Sequence, residues 1–340
     1  MAATVSTWPT LLDVAKRLDP NGQTAAVANV LSQWNEILDD IPFLEGNLPD
    51  GHKISIAKSL PAPTWRTANK GINPTKGTTS QLVETVGNLA NYSEIDKDIA
   101  ELNGNTASWR ASEDRLVLEG MNQAFAGALI YGDTATDPEK FNGLAPRYYT
   151  KTVATSTVAN QVIDAGGSGS DNTSIYLVGW SPETVFGIYP KGSKAGLTME
   201  DKGQVTIYDA NLGRFEGYRT FYQWKSGLCV KDYRYVVRIA NIDVSDLKTA
   251  GDSTDTSANI LKHMSMALDY LYNISAVKPV FYMHQTVRAM LRVKLTSKSN
   301  TWVTLEDWQT PSGIMRPTLM FQGVPVRRVD QILLTESAIS

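Results

Sequence analysis

Apolar residues recur along the chain in two rhythms, one spaced every three to four residues and one alternating, and the helical rhythm is clearest at the centre of the N-terminal half. Projected at about 100° per residue, the stretch TASWRASEDRLVLEGMNQAFAGALIYG from Thr106 to Gly132 gathers Val117, Met121, Ala124, Phe125, Ala128 and Tyr131 on one face. Arg115, Glu119 and Asn122 lie across from them. The pattern predicts a helix that starts at Ser108 or Ser112, either of which can cap free N–H groups. It stops at Gly132, and Asp137-Pro138 blocks a restart. At 1.5 Å per residue it would be roughly 35 Å long, either an ordinary core helix or a brace between separate regions.

Shorter helices precede it. Leu11 to Leu18 ends at the turn Asp19-Pro20-Asn21-Gly22. Thr24 to Leu38 then carries Val27, Val30, Leu31, Trp34 and Leu38 on one stripe before Ile41-Pro42 stops it. This N-terminal arm has an apolar face that needs a surface, its own or a neighbour's. Ser93 to Leu102 reads as a small helix with Ile95, Ile99 and Leu102 on one side, ended by Asn103-Gly104.

Between these helices, alternation at Lys53 to Lys58 and Gln81 to Val86 flanks the tract LPAPTWRTANKGINPTKGTT and predicts a β-hairpin arm. The tract has few residues able to bury themselves, so it either projects onto another molecule or forms a loose surface loop. From Ser174 onward β patterning dominates: SIYLVGW, a Ser181-Pro182 turn able to start a short helix, then QVTIYD. Arg214 to Trp224 and Leu228 to Ile239 follow, read as an antiparallel hairpin with one buried face that flanks Ser226-Gly227, in which Tyr233, Tyr235, Val237 and Ile239 alternate with Arg234, Val236 and Arg238. A polar loop from Asp243 to Asn259 leads to a helix with Ile260, Met264, Ala267 and Leu271 on its stripe. Pro279 to Met283 is a strand, Thr286 to Leu295 a helix and Thr301 to Trp308 a strand. Leu319 to Val329 is a last strand interrupted at Gly323-Val324-Pro325. The fold class is α+β, with no internal repeat.

Composition narrows the function. The 340 residues are 42% hydrophobic, enough for a substantial core, and a net charge of −3 supplies no overall field to attract nucleic acid or anionic membrane. One cysteine, Cys229, excludes internal disulfides, and no apolar run is long enough to span a bilayer as a helix. Chemistry-bearing motifs fail one by one. GINPTKGT at Gly71 to Thr78 places Lys76 before Gly77 with more loop behind it, against the phosphate-loop order, and Gly167-Ser168-Gly169 lies in a flexible GGSGSDN loop. His52, His263 and His284 have no partner at ligand spacing, and Cys229 in LCVKDYRY reads as a buried, inert thiol. Asp13, Glu45, Glu84 and Glu183 are scattered. No catalytic, cofactor-binding or metal-binding set emerges.

The order of an N-terminal arm, a long Lys-bearing hairpin, a long helix, a β-rich α+β block and a terminal strand resembles the major capsid proteins of tailed bacteriophages, with their Hong Kong 97-like fold. Local phrases add to this: Phe141-Asn142-Gly143-Leu144-Ala145, Ile188-Tyr189-Pro190-Lys191-Gly192-Ser193, Tyr235-Val236-Val237-Arg238-Ile239-Ala240-Asn241 and Phe321-Gln322-Gly323-Val324-Pro325-Val326-Arg327 are similar to segments of short-tailed phage capsid proteins. The resemblance covers nearly the whole chain.

It implies an N-terminal arm at 1–45, an extended loop at 46–90 lying across the neighbouring subunit, a peripheral domain at 91–150 and 281–340 that includes a spine helix at 108–131, and an axial domain at 151–280. Inter-subunit contacts would come from Lys53, Lys58, Trp65, Arg66, Lys70 and Lys76 of the loop, and from Val27, Leu31 and Trp34 of the arm. The implied function is self-assembly into the icosahedral head around double-stranded DNA, with no catalysis and no cofactor. The implied partners are further copies in hexamers and pentamers, a portal, a decoration or cement protein, and packaged DNA contacted non-specifically, with no membrane. The stretch ahead of Leu11 is short for the scaffolding region with which many such proteins begin, so a separate scaffolding protein or a prior cleavage is expected. Assembly would take place in the host bacterial cytoplasm and the product would be the virion. Some members crosslink a loop lysine to a neighbour's asparagine. That chemistry needs a placed carboxylate, and without one the loop lysines read as solvated or salt-bridging. The alternatives are an encapsulin-like compartment shell or, from another class, a β-rich hydrolase or ligand-binding protein.

Overall fold

The computed structural model of the chain describes residues 33, 35–104, 106–209, 211–249, 259–295, 303–309 and 315–340. In chain order the first elements are α1 (Ile37–Asp40), β1 (Phe43–Glu45), β2 (Gly51–Ser59), β3 (Thr78–Thr85), β4 (Gly87–Asp96), α2 (Lys97–Ala100), α3 (Thr106–Tyr131) and α4 (Leu144–Arg147). The β-rich block holds β5 (Val162–Asp164), β6 (Asn172–Trp180), β7 (Val185–Tyr189), β8 (Leu197–Tyr208), β9 (Arg214–Val230) and β10 (Val236–Asp243). It is followed by α5 (Val244–Thr249), α6 (Ile260–Tyr270), β11 (Lys278–Met283), α7 (Gln285–Leu295), β12 (Val303–Gln309), β13 (Met315–Phe321) and β14 (Val324–Arg328).

All nine residues of β6 are buried, because this strand is paired on both edges and covered on both faces. Alternation then sorts its side chains. Tyr176, Val178 and Trp180 join a core that includes Phe125, Leu129 and Ile130 of α3, while Ile175 and Leu177 join a second core built with Ile260, Met264 and Ala267 of α6 and Val287 and Leu291 of α7. Neighbouring β10 and β11 divide in the same way: Val280 and Tyr282 face α3, Phe281 and Met283 face α6 and α7. The result is a layer of sheet between two layers of helix, consistent with an α+β class. The largest sheet runs β12-β13-β14-β11-β6-β7-β9-β4, with β1, β5, β8 and β10 attached to it, and β2-β3 stands apart as a two-stranded sheet.

The long helix is present over Thr106–Tyr131, but its buried face is rotated from the expected one. Met121 and Phe125 are buried as read, joined by Ala126, Leu129 and Ile130, whereas Ala124 is exposed. Apart from Trp109, burial is confined to the second half of the helix.

Five other expectations need correction. Gly87–Asp96 is a strand, with a helix only at Lys97–Ala100, because Ser93, Glu94 and Ile95 pair with Thr220, Arg219 and Tyr218 of β9. The expected hairpin at Ser226-Gly227 does not exist: β9 is one strand of 17 residues that pairs with β4 and β8 along its first part and with β7 along its last. Gly227 is required there for close approach and not for a turn, since a Cβ would sit 2.5 Å from the carbonyl oxygen of Thr85. The Asp243–Asn259 segment is not all loop, because Val244–Thr249 forms α5. The last strand is a true hairpin, with Gln322 and Gly323 at φ 49° and 79° linking β13 to β14, the geometry of a two-residue primed turn. The expected short helix after Ser181-Pro182 is also absent, as the chain turns directly into β7.

The N-terminal arm lies largely outside the described residues, including Val27, Leu31 and Trp34. Its expected helix does not run unbroken to Leu38, because Asn35 bridges to Val329 and Glu36 donates its N–H to the Arg328 carbonyl, 3.0 Å away.

Candidate inter-subunit surfaces

The hairpin of β2 and β3 forms as the alternation predicts, paired from Gly51↔Thr85 out to Ser59↔Thr78 with one irregularity near Ala57. It is buried only at its root. Of β2, Gly51 and Ile54 are covered; of β3, only Glu84 is. Ile54 packs with Phe186, Ile188 and Cys229, and His52 sets its ring edge-on to Phe186 at 5.7 Å. Burial lowers the pKa of His52, the Lys231 charge adds to this, and Glu84 opposes both.

The root is clamped by charge. Glu84 is 3% exposed and receives two hydrogen bonds of 2.6 Å from the guanidinium of Arg147 on α4. Arg147 also donates to the carbonyls of Asn142, Gly143 and Leu228, which satisfies most of its fork. Alternation in QLVETV places Glu84 in phase with Leu82 and Val86, and a carboxylate in an apolar phase is the signal that foretells a buried cation. Past the root both faces of the hairpin are open, and Lys53, Lys58, Trp65, Arg66, Lys70 and Lys76 are all exposed on the strands and the tip. The structure thus strings the loop residues along one projecting arm without gathering them into a pocket.

The root of the N-terminal arm is tied by a second set of charges. Glu36 accepts the Arg328 N–H at 2.6 Å and stands 3.6 Å from Arg288; Asp40 accepts from the Tyr282 hydroxyl at 3.0 Å and from Lys278 at 3.1 Å. The Gln33 N–H donates to Glu119 on α3 at 2.9 Å, so the arm leaves the body beside the long helix.

The C-terminal segment is fastened by a buried polar group. Arg238 is 4% exposed; it donates to Glu336 at 3.0 Å and to the Tyr148 carbonyl at 2.9 Å, while Ser174 and the Tyr131 hydroxyl also bond Glu336. Asn241 exchanges hydrogen bonds with the backbone of Ile339, and Thr150 donates to the Ser340 carbonyl. An arginine inside the run YVVRIAN was the available sign of this fastening.

Two hollows accompany these elements. One lies between the hairpin, at Ser55 to Leu60, and the body at Glu183 and Lys231 to Arg234. The other, of about 180 Å³, is lined by Gly87, Asn88, Leu89, Ala124, Phe125, Ala128, Glu139, Lys140, Phe141, Trp224 and Ser226, with the Phe125 and Trp224 rings stacked at 4.0 Å in its wall. Neither assembles a catalytic constellation. Cys229 is fully buried, its thiol pushed up to about 12 by burial, the charge of Glu84 adding to the effect. His52, His263 and His284 sit far apart in the chain's elements, and no cluster of three or more His, Cys, Asp or Glu suited to a metal occurs among the described residues. No helix among the described residues is long and apolar enough to cross a membrane.

Comparison with known proteins gives one family and several similar solved structures. The family model described as major capsid protein GP7 matches residues 19–340. The capsid structure of bacteriophage Epsilon15 is similar over 100% of this chain and 99% of its own, at 31% identity and a TM-score of 0.77. The bacteriophage JBD30 capsid matches over 89% of this chain and 92% of its own at 9% identity (TM-score 0.48). An encapsulin complex from Synechococcus elongatus PCC 7942 matches over 69% and 97% at 12% identity (TM-score 0.45). No curated protein matches.

Proposed function

The chain belongs to the major capsid protein GP7 family, and from that premise we propose how its parts build the head shell of a tailed phage. Membership makes it a structural subunit of a multimeric shell and places it in the virion. The observation that carries the rest is the hairpin's burial pattern: a root packed and ion-paired to its own body, followed by strands exposed on both faces. An isolated two-stranded hairpin is marginal in water, and this one becomes a stable surface only when laid on another molecule. Its occupants on the contact side are Lys53, Lys58, Trp65, Arg66, Lys70 and Lys76, and the arm adds Val27, Leu31 and Trp34.

Each copy thus covers a neighbour in a head-to-tail contact, which closes into hexameric and pentameric rings when the rotation fits. Many modest contacts sum into a stable shell. Residues 91–150 and 281–340 act as the peripheral domain, with α3 as its spine, and 151–280 as the axial domain. A separate scaffolding protein, a portal and a decoration or cement protein complete the assembly in the host bacterial cytoplasm, and packaged DNA is contacted without sequence preference. Size-exclusion chromatography and negative-stain microscopy of the expressed chain with its scaffold test this reading: rings or shells are expected, and a small oligomer under every condition would overturn it.

A further inference from the structure

The tip of the hairpin exposes a side chain that the subunit itself has no means to cover. Trp65 is 102% exposed, with Leu60 at 84% and Ile72 at 54% on the same tip. A tryptophan carries one of the largest apolar surfaces of any residue, and one left wholly exposed is a ready anchor for association.

The 180 Å³ hollow beside α3 offers the reciprocal feature. Its walls are Leu89, Phe125, Phe141 and Trp224, and it opens where Asn88, Ala124, Glu139 and Lys140 are exposed. An apolar cavity of roughly 150 Å³ holds a benzene ring, so this one has room for an indole.

Trp65 cannot enter the hollow of its own subunit. Gly87 and Asn88 line that hollow and open β4, one residue after the end of β3, so the hollow sits at the hairpin's root. Trp65 lies beyond the far end of a nine-residue strand, roughly 30 Å away at about 3.3 Å per residue.

Charge supports the same pairing. Residues 60–77 carry Arg66, Lys70 and Lys76 and no acid, whereas 133–140 at the mouth carry Asp133, Asp137 and Glu139, with Lys140 already paired to Asp137 at 2.8 Å. Glu139 makes no ion pair among the described residues, and neither does Arg66. Arg66 follows Trp65 in sequence, so an aromatic anchor and a cation arrive together, both residue types enriched where binding energy concentrates.

Resting on the self-assembly reading above, we propose that Trp65 of one copy seats in the α3 hollow of a second copy, with Arg66 reaching Glu139 at its mouth. This contact is the anchor that fixes where the arm lands, and the remaining tip residues supply complementarity around it.

The test uses the full chain assembled into shells with its scaffold. Trp65→Ala is expected to lower the yield of closed shells at least about tenfold, with the folding stability of the subunit unchanged, and Trp65→Phe to recover part of the yield. Ala124→Trp, which fills the hollow from its own side, should reproduce the loss. Arg66→Glu and Glu139→Arg should each weaken assembly, and the two together should restore it. With p-benzoylphenylalanine at position 65 in shells of mixed isotope labelling, irradiation is expected to join that residue to peptides containing Ala124 or Phe141 of a different copy. Wild-type yield from Trp65→Ala, or crosslinks to other surfaces, to scaffold or to a decoration protein, would overturn the seat while leaving self-assembly standing. Failure of the unaltered chain to form any ring or shell would overturn both.

Discussion

Strands β6 and β2 are the same length, nine residues each, and they end in opposite conditions. β6 has partners on both edges and helices over both faces, so every side chain is buried by the subunit alone. β2 has one partner strand and is covered only at Gly51 and Ile54. The difference separates what the subunit buries by itself from what it leaves exposed. Hydrophobic burial stabilises the fold in the first region, whereas the second contributes little of it past the root.

Deleting Pro61 to Thr79 should give the largest contrast: closed particles are lost altogether, while the subunit unfolds at nearly its original denaturant concentration, because none of the removed residues is buried. Next in size, truncating a side chain in the covered sheet should cost far more than truncating one in the arm. Phe281→Ala removes a ring packed edge-on to Phe321 and is expected to destabilise by about 3–5 kcal/mol in urea unfolding, against no more than about 0.5 kcal/mol for Leu82→Ala. Arg147→Met addresses the boundary between the two regions. It strands the Glu84 carboxylate in a buried site at a cost of about 3–5 kcal/mol, read as loosening of the hairpin root in limited proteolysis, and adding Glu84→Gln should recover most of it.

The smallest effect is a pH dependence at the same boundary. His52 has its pKa lowered in the folded state, chiefly by burial, so the unfolded chain binds the extra proton more readily. Stability at the root is therefore full above the unfolded value near 6.5 and declines as pH falls through it, levelling off below the folded value. Hydrogen exchange of β2 amides between pH 7.5 and about 5 should show the decline, and His52→Asn should flatten it.

Legibility in the sequence followed the same divide. The helices α3, α6 and α7 and the strands β6 and β11 were readable because their periodicity reflects burial on fixed faces. The hairpin was readable for the opposite reason, its polar tract being unable to form core. Errors arose where long-range pairing overrode local signs. Ser93 to Leu102 has a helical stripe, but the open edge of β9 draws its first residues into a strand. Ser226-Gly227 looks like a turn, yet the small residues there admit the backbone of Thr85 and Val86 against a continuous strand. The clamp of Glu84 on Arg147 spans 63 positions and the Arg238–Glu336 pair spans 98; only an ionisable residue in an apolar phase hinted at either.

The unbroken course of β9 has a mechanical consequence. It is bonded to β4 and β8 at one end and to β7 at the other, so a pull on the outer ribbon travels along the strand axis into the centre of the subunit. Its ladder bonds there are strained in parallel and must give way together, whereas a hairpin at Ser226-Gly227 would have let them peel apart singly. A shell swollen from within would accordingly transmit tension across each subunit through this one strand before any of its sheets came undone.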